Sequence, residues 1–353
     1  MNRIFKVTGA LIVAVLALSG CATAPTAEAS SGGYAPYMPP GEAGSLALRD
    51  DFESSPQETH DFWSDPDLFA DAEGIQYTSP DNGISGGTGD PATGAYVAPT
   101  VPSPVAESPN GYGDVPTGTL FDRNGLAGST LGRLYIQLDG ERMGVCSASV
   151  VSSKSRSIVV TAAHCLVDFD NNNAIAQSVL FVPADRNNAQ EQPYGQWAAV
   201  QYYIPQYFID NAQVSPSGSV TGSGWTMDHA FLVMEEKGGQ RVQDVTGGMG
   251  IAFGVPVQNI VQVGYPTAEP YDGTDEYFCA STSWEQGWAA GYEHACDMTP
   301  GSSGGAWMAY YDNQIGAGYV AAVNSTGNAT HSEGSILGQG AFDLYQQADA
   351  DAA

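Results

Sequence analysis

Three short segments carry side chains whose types suit nucleophilic catalysis: Thr161-Ala162-Ala163-His164-Cys165, Met227-Asp228-His229-Ala230 and Gly301-Ser302-Ser303-Gly304-Gly305. A serine hydroxyl is a weak nucleophile until an imidazole takes its proton. That imidazole in turn needs a carboxylate to hold its tautomer and stabilise its charged form. Glycines beside the serine let backbone N–H groups approach a developing oxyanion. The set His164, Asp228 and Ser303 therefore points to acyl transfer, with base, acid and nucleophile in that chain order. Asp228 directly precedes the apolar run Ala230-Phe231-Leu232-Val233-Met234 and so stands at a loop-to-strand junction. Rival groups fit less well. His229 adjoins the acid, and adjacent strand side chains face opposite ways. His60 lies in a Pro- and Gly-rich region, His294 reads as a loop residue before Cys296, and Asp168-Phe169-Asp170-Asn171-Asn172 reads as a solvated turn.

The elements that must position these groups begin near Ser129. From there, short β-branched and aromatic runs alternate with turn clusters, a pattern of all-β structure. The expected strands are 132–138, 145–151, 157–161, 197–204, 230–234, 259–264, 276–279, 306–310 and 317–323, with one helix over 341–347. Residues 22–128 are rich in Pro, Gly, Ser and acidic residues and lack periodic patterning. They read as a largely disordered, low-complexity linker or propeptide. Asp61-Phe62-Trp63 and Leu68-Phe69 are exceptions that suit a short docking helix.

Arg3 and Lys6 precede an apolar stretch, Val7 to Leu18, too short to span a bilayer and of signal-peptide length. Leu18-Ser19-Gly20-Cys21 resembles a bacterial lipobox, which makes residues 1–21 a lipoprotein signal peptide with lipidation at Cys21. Membrane contact is expected only through that N-terminal lipid anchor. Setting Cys21 aside leaves Cys146, Cys165, Cys279 and Cys296, an even set suited to an oxidising, extracytoplasmic compartment. Of three possible pairings, Cys146–Cys165 with Cys279–Cys296 is the sequence-local one. No spacing forms a close ligand pair for a metal. With 39 Asp+Glu against 11 Lys+Arg, the net charge of −28 opposes binding to phosphate backbones, so no nucleic-acid partner is expected.

The motifs around His164 and Ser303, with the upstream strand Gly144-Val145-Cys146-Ser147-Ala148-Ser149-Val150-Val151, resemble those of chymotrypsin-fold (trypsin-like) serine proteases. Val263-Gly264-Tyr265-Pro266 and Cys296-Asp297-Met298-Thr299 are similar to the V8-like, glutamyl-endopeptidase branch. The resemblance covers about 129–350 and implies a protease domain over 129–353 built as two six-stranded antiparallel β-barrels with a short C-terminal helix. It further implies an oxyanion hole from the N–H groups of Gly301 and Ser303, and pocket-lining roles for Asp297, Thr299 and Asn324. Protein or peptide substrates, a monomer and no cofactor follow from the same likeness.

Two features depart from the family. Ser302 stands where many animal relatives carry an aspartate that receives the new N-terminal amine on activation, so latency here needs another device, such as the segment before Ser129. Asn324 occupies the strand position where glutamyl endopeptidases place a histidine. The loop around Ser303 also fits the G-x-S-x-G elbow of α/β-hydrolases, but too little chain follows it to carry that fold's acid and histidine. The expected function is an extracytoplasmic serine endopeptidase; the alternative is a catalytically silent, lipid-anchored binding protein of protease fold.

Overall fold

The computed structural model describes residues 47–79, 94–101, 112–255, 259–283, 285–286 and 291–352. Residues 1–21, expected to form a signal peptide with a lipobox, lie outside this set. Six antiparallel strands close into a barrel in the first half of the expected protease domain. Around the barrel they run Trp197–Pro205, Ser178–Pro183, Leu131–Gln137, Met143–Val150, Ile158–Thr161 and Ala230–Met234, the last pairing back with the first. Closure removes exposed strand edges. Every residue of Leu131–Gln137 and Ala230–Met234 is buried, on both faces, because other elements cover the barrel's outside.

The second half is a long curled sheet. Its strands follow the order Tyr292–Ala295, His331–Ile336, Ala317–Gly327, Ala306–Asp312, Ile260–Gly264, Tyr277–Ser281 and Val115–Leu120, all antiparallel. Six strands were expected to close as a second barrel. Among the described residues no ladder joins Tyr277–Ser281 to Tyr292–Ala295; the Cys279–Cys296 disulfide ties them instead. Arg133 stitches the two halves together. Its buried guanidinium donates to Asn188 Oδ1 at 2.6 Å and to the Gly273 carbonyl, and lies 4.8 Å from the Tyr265 ring centre.

The described residues begin at Ala47, well before Ser129. Strand Ala47–Asp51 extends the first barrel's sheet by pairing with Trp197–Pro205. Helices Pro56–Phe62 and Pro66–Asp71 follow, so the expected docking helix exists as two. Trp63 and Phe69 pack with Tyr135, Val145, Leu180 and Val182 on the barrel's outer face. A few aromatic anchors thus order a segment whose average composition argued for disorder. At the other end, helix Gln339–Asp351 outreaches the expected 341–347 and sets Tyr345 against Phe231, ring centres 5.7 Å apart.

Three buried titratable groups give the fold a pH dependence. Burial lifts the Glu276 carboxyl to about 7, against the pull of Arg123, whose Nε is 3.5 Å away. Burial holds His229 and His294 down at about 4. Native Glu276 keeps a proton that the unfolded chain releases above about 4.5, so its contribution is complete below that pH and is lost as pH rises through 7. The histidines act oppositely. Below about 6.5 the unfolded chain takes up protons that the native state refuses until about 4, so stability also falls on acidification. Stability should peak near pH ~6.5, where the two trends meet. Glu276→Gln should gain about 2 kcal/mol more over the wild type at pH ~8 than at pH ~5 in denaturant unfolding. An equal offset at both pH values would show that Glu276 is ionised throughout.

Candidate active site

The register of one strand pair brings His164 and Asp228 together. Ala230 lies opposite Thr161 in the antiparallel ladder, so the chain entering at Asp228 runs beside the chain leaving toward His164. His164 sits on the 3-10 turn Ala163–Cys165, and the Cys146–Cys165 disulfide pins that turn to the neighbouring strand. The Asp228 carboxylate accepts three hydrogen bonds: from His164 N–H at 2.8 Å on Oδ1, and from His164 Nδ1 and Ser325 Oγ on Oδ2, both at 2.6 Å. With Asp228 on Nδ1, the imidazole's Nε2 lies 3.9 Å from Cys165 Sγ. His164, Asp228 and Ser303 are all 0% exposed. Cys146, His164 and Cys165 also bring ligand-type atoms within 4.8 Å of one another, but the sulfurs are joined to each other and offer no thiolate.

The loop carrying Ser303 docks on the same disulfide-bearing strand. Ser147 N–H donates to the Ser303 carbonyl at 2.6 Å, and Ser147 Oγ donates to the Gly301 carbonyl at 2.9 Å. Ser147 follows Cys146, Cys146 is bonded to Cys165, and Cys165 follows His164, so the path between the two motifs is short. Gly304 is required here. Its φ is +76°, and a Cβ there would lie 2.1 Å from Thr161 Oγ1 and 2.4 Å from the Ser147 carbonyl oxygen. The two serines of the loop differ in occupation. Ser302 Oγ donates to the Thr299 carbonyl at 2.9 Å, whereas Ser303 Oγ has no hydrogen-bond partner among the described residues. Ser303 Oγ thus makes no hydrogen bond to His164 among the described residues.

The three residues expected to line a pocket have protein partners. Asp297 Oδ1 accepts from Tyr271 OH at 2.5 Å and from Gly118 N–H at 2.7 Å. Thr299 Oγ1 exchanges hydrogen bonds with the backbone of Ala268, at 3.0 and 3.1 Å. Asn324 is buried, accepts from Gln262 Nε2 at 2.9 Å and donates to Ser302 Oγ at 3.3 Å, so it braces the serine loop from below. Gln262 Oε1 in turn meets His294 Nε2 at 2.8 Å. His294 is therefore a buried strand residue of Tyr292–Ala295, not the loop residue expected. Asp168 is likewise buried and paired with Arg142, not solvated. His229 is buried beside Phe231, ring centres 6.5 Å apart, with neither ring nitrogen hydrogen-bonded among the described residues. His60 pairs with Glu235 at 2.6 Å on the barrel's flank.

Some site residues escaped the reading of the sequence. Ser325 completes the carboxylate's hydrogen bonds, and its position near the end of the strongly apolar strand Ala317–Gly327 was the one available hint. Tyr77 packs edge-on against His164 with ring centres 5.5 Å apart, and Trp225 lies 5.8 Å from the same imidazole. Gly74 fits so close to the serine loop that a Cβ would lie 2.7 Å from Gly301 N and 2.6 Å from the Pro300 carbonyl carbon. No local motif marks Tyr77 or Gly74, because both reach the site through long-range pairing.

No protein-family model and no curated protein sequence matches the chain. Solved structures do. A protease, Anisep, from Arthrobacter nicotinovorans is 29% identical with a TM-score of 0.54, over 65% of this chain and 99% of that one. A thermostable serine protease, AL20, from an extremophilic microorganism is 31% identical with a TM-score of 0.52, over 64% of this chain and 99% of its own. A Glu endopeptidase shares the fold at 15% identity and a TM-score of 0.50, over 67% of this chain and 97% of that one. The closed barrel, the disulfide-pinned histidine turn and this likeness along nearly the whole of AL20 agree, and the chain belongs to the chymotrypsin-fold serine proteases.

Proposed function

We propose that the protein is an extracytoplasmic serine endopeptidase acting on protein or peptide substrates. Ser303 Oγ attacks the scissile carbonyl carbon while its proton passes to His164 Nε2. Asp228 holds the imidazole's tautomer and stabilises its cationic form. The N–H groups of Gly301 and Ser303 donate to the oxyanion of the tetrahedral intermediate. The C–N bond then breaks, the leaving amine takes the proton from His164, and an ester to Ser303 remains. Water, deprotonated by the same imidazole, hydrolyses that ester and restores the hydroxyl. The chain's two disulfides suit an oxidising compartment. We place the protein outside the cytoplasm as a monomer, anchored by lipid on Cys21.

The observation that carries this reading is the Asp228 carboxylate saturated by three donors, two of them from His164. A core aspartate with no chemical role would not need a buried histidine as its main partner. A biotinylated fluorophosphonate tests it, applied to the full chain and to a Tyr77→Ala variant in which His164 is uncovered. Covalent label located on Ser303 by mass spectrometry, and cleavage of members of a diverse peptide library, are the expected results. Folded protein that takes no label in either form and cuts nothing is a binding protein of protease fold instead.

A further inference from the structure

Part of the candidate site's burial has an identifiable cause: the described segment 73–79 packs on His164 and on the Gly301 end of the serine loop. Its first part, Glu73–Gly74, pairs parallel with the Gly144–Val145 end of strand Met143–Val150, and Ile75 N–H donates to the Val145 carbonyl at 3.0 Å. Gly74 lies against Pro300 and Gly301, whose N–H is one of the two assigned to the oxyanion. Tyr77 then covers His164 and packs on Trp225 and Phe169, ring centres 5.6 and 5.4 Å away. The last part, Tyr77–Thr78, pairs parallel with Thr326–Gly327, directly after Ser325. Ser79 N–H donates to the Gly327 carbonyl at 3.4 Å, and the Ser79 and Thr326 hydroxyls meet at 2.8 Å.

An extended segment hydrogen-bonded to one strand on each side of a nucleophile occupies the place of a peptide substrate. We infer that residues 73–79 form an autoinhibitory strap seated in the peptide-binding cleft and must leave before substrate can bind. The inference rests on the endopeptidase reading for what is inhibited, but the covering itself is a matter of geometry.

Two features suit a strap rather than a permanent part of the sheets. Both pairings are parallel and two residues long, and parallel ladders are slightly weaker per residue than antiparallel ones. A peptide that pairs antiparallel with the same edges would therefore compete well once the strap's local advantage is lost. That advantage is tethering. Helices Pro56–Phe62 and Pro66–Asp71, with Trp63 buried beneath them, hold the upstream end on the barrel, which gives the strap a high effective concentration at the cleft. The arrangement supplies latency without the aspartate that Ser302 replaces.

Gly74 offers a narrow test. Valine there meets Gly301, Pro300 and Thr267 and cannot seat, while no barrel strand is altered. Tyr77→Ala serves as a second variant should Gly74→Val fold poorly; both are checked by melting temperature. The first readout needs no catalysis: in a Ser303→Ala background, diethyl pyrocarbonate modification of His164 is followed by mass spectrometry. The second is the rate of fluorophosphonate labelling of Ser303. If the cleft is open less than about a tenth of the time, both rates rise about tenfold or more in Gly74→Val or Tyr77→Ala, because apparent reactivity scales with the uncovered fraction. A synthetic peptide of residues 71–79 should slow both again. Equal rates in all forms overturn the strap. A faster His164 reaction with no labelling of Ser303 in any form leaves the strap standing and removes the endopeptidase reading.

Discussion

Alanine at position 303 is expected to lower kcat/KM by on the order of 10^4- to 10^6-fold, to the level left by binding and the oxyanion amides alone. The experiment is best run in the Gly74→Val background, where the cleft is uncovered. The expectation follows from the contrast within one loop. Ser302 Oγ is bonded to Thr299 and Asn324, while Ser303 Oγ has no partner among the described residues. Losing a hydroxyl that makes no hydrogen bond removes no native interaction, so Ser303→Ala should melt at or slightly above the wild-type temperature. Ser302→Ala should do the reverse. It severs a buried link to Asn324 and costs about 1–2 kcal/mol of stability, yet leaves the nucleophile in place. Activity of Ser303→Ala above about 1% of the parent would mean that another group performs the attack.

What could be read from the sequence depended on how local each feature was. Strand Ala230–Met234 was located to the residue because five apolar residues sit between polar ones and its neighbours are turn formers. Strand Ser178–Pro183 was missed, although it is a full member of the barrel. Its apolar run Val179-Leu180-Phe181-Val182 is short and lacks alternation, so its period does not separate a buried strand from a buried helical segment. His331–Ile336 was missed for a different reason: its polar side chains are buried between strands, where hydropathy argues against a core position. His164 and Ser303 were legible because their neighbours, a cysteine and glycines, are themselves requirements of the local geometry. Asp228 was singled out by its place between His164 and Ser303 in chain order and by a segment resembling the family's Asp-x-Ala motif, more than by the apolar run that follows it. Ser325, Tyr77 and Gly74 act only through contacts across long chain separations, and composition carries no trace of such contacts. The same blindness applies to residues 47–79, where the average composition concealed Trp63, Phe69 and the anchoring they provide.

Asp228→Asn is expected to lower kcat by about 10^4-fold while leaving KM nearly unchanged. Both carboxylate oxygens are taken up by His164 and Ser325, so its effect must pass through His164. Its two oxygens face only donors: the His164 N–H on Oδ1, and His164 Nδ1 and Ser325 Oγ on Oδ2. An asparagine has one acceptor and one donor and cannot satisfy them all. If its nitrogen takes the Oδ2 position, it donates toward Nδ1, and the ring proton moves to Nε2, where the base must be unprotonated. If its nitrogen takes the Oδ1 position, two N–H groups oppose each other at a buried site. That outcome costs about 1–3 kcal/mol in stability and displaces the turn that carries the imidazole. Ser325→Ala removes one donor and leaves the tautomer intact, so it should cost no more than about tenfold in kcat. The pair separates positioning from packing. A purely structural aspartate would let Asp228→Asn lose stability with kcat preserved in the folded fraction, whereas the geometry requires kcat to collapse in protein that is still folded.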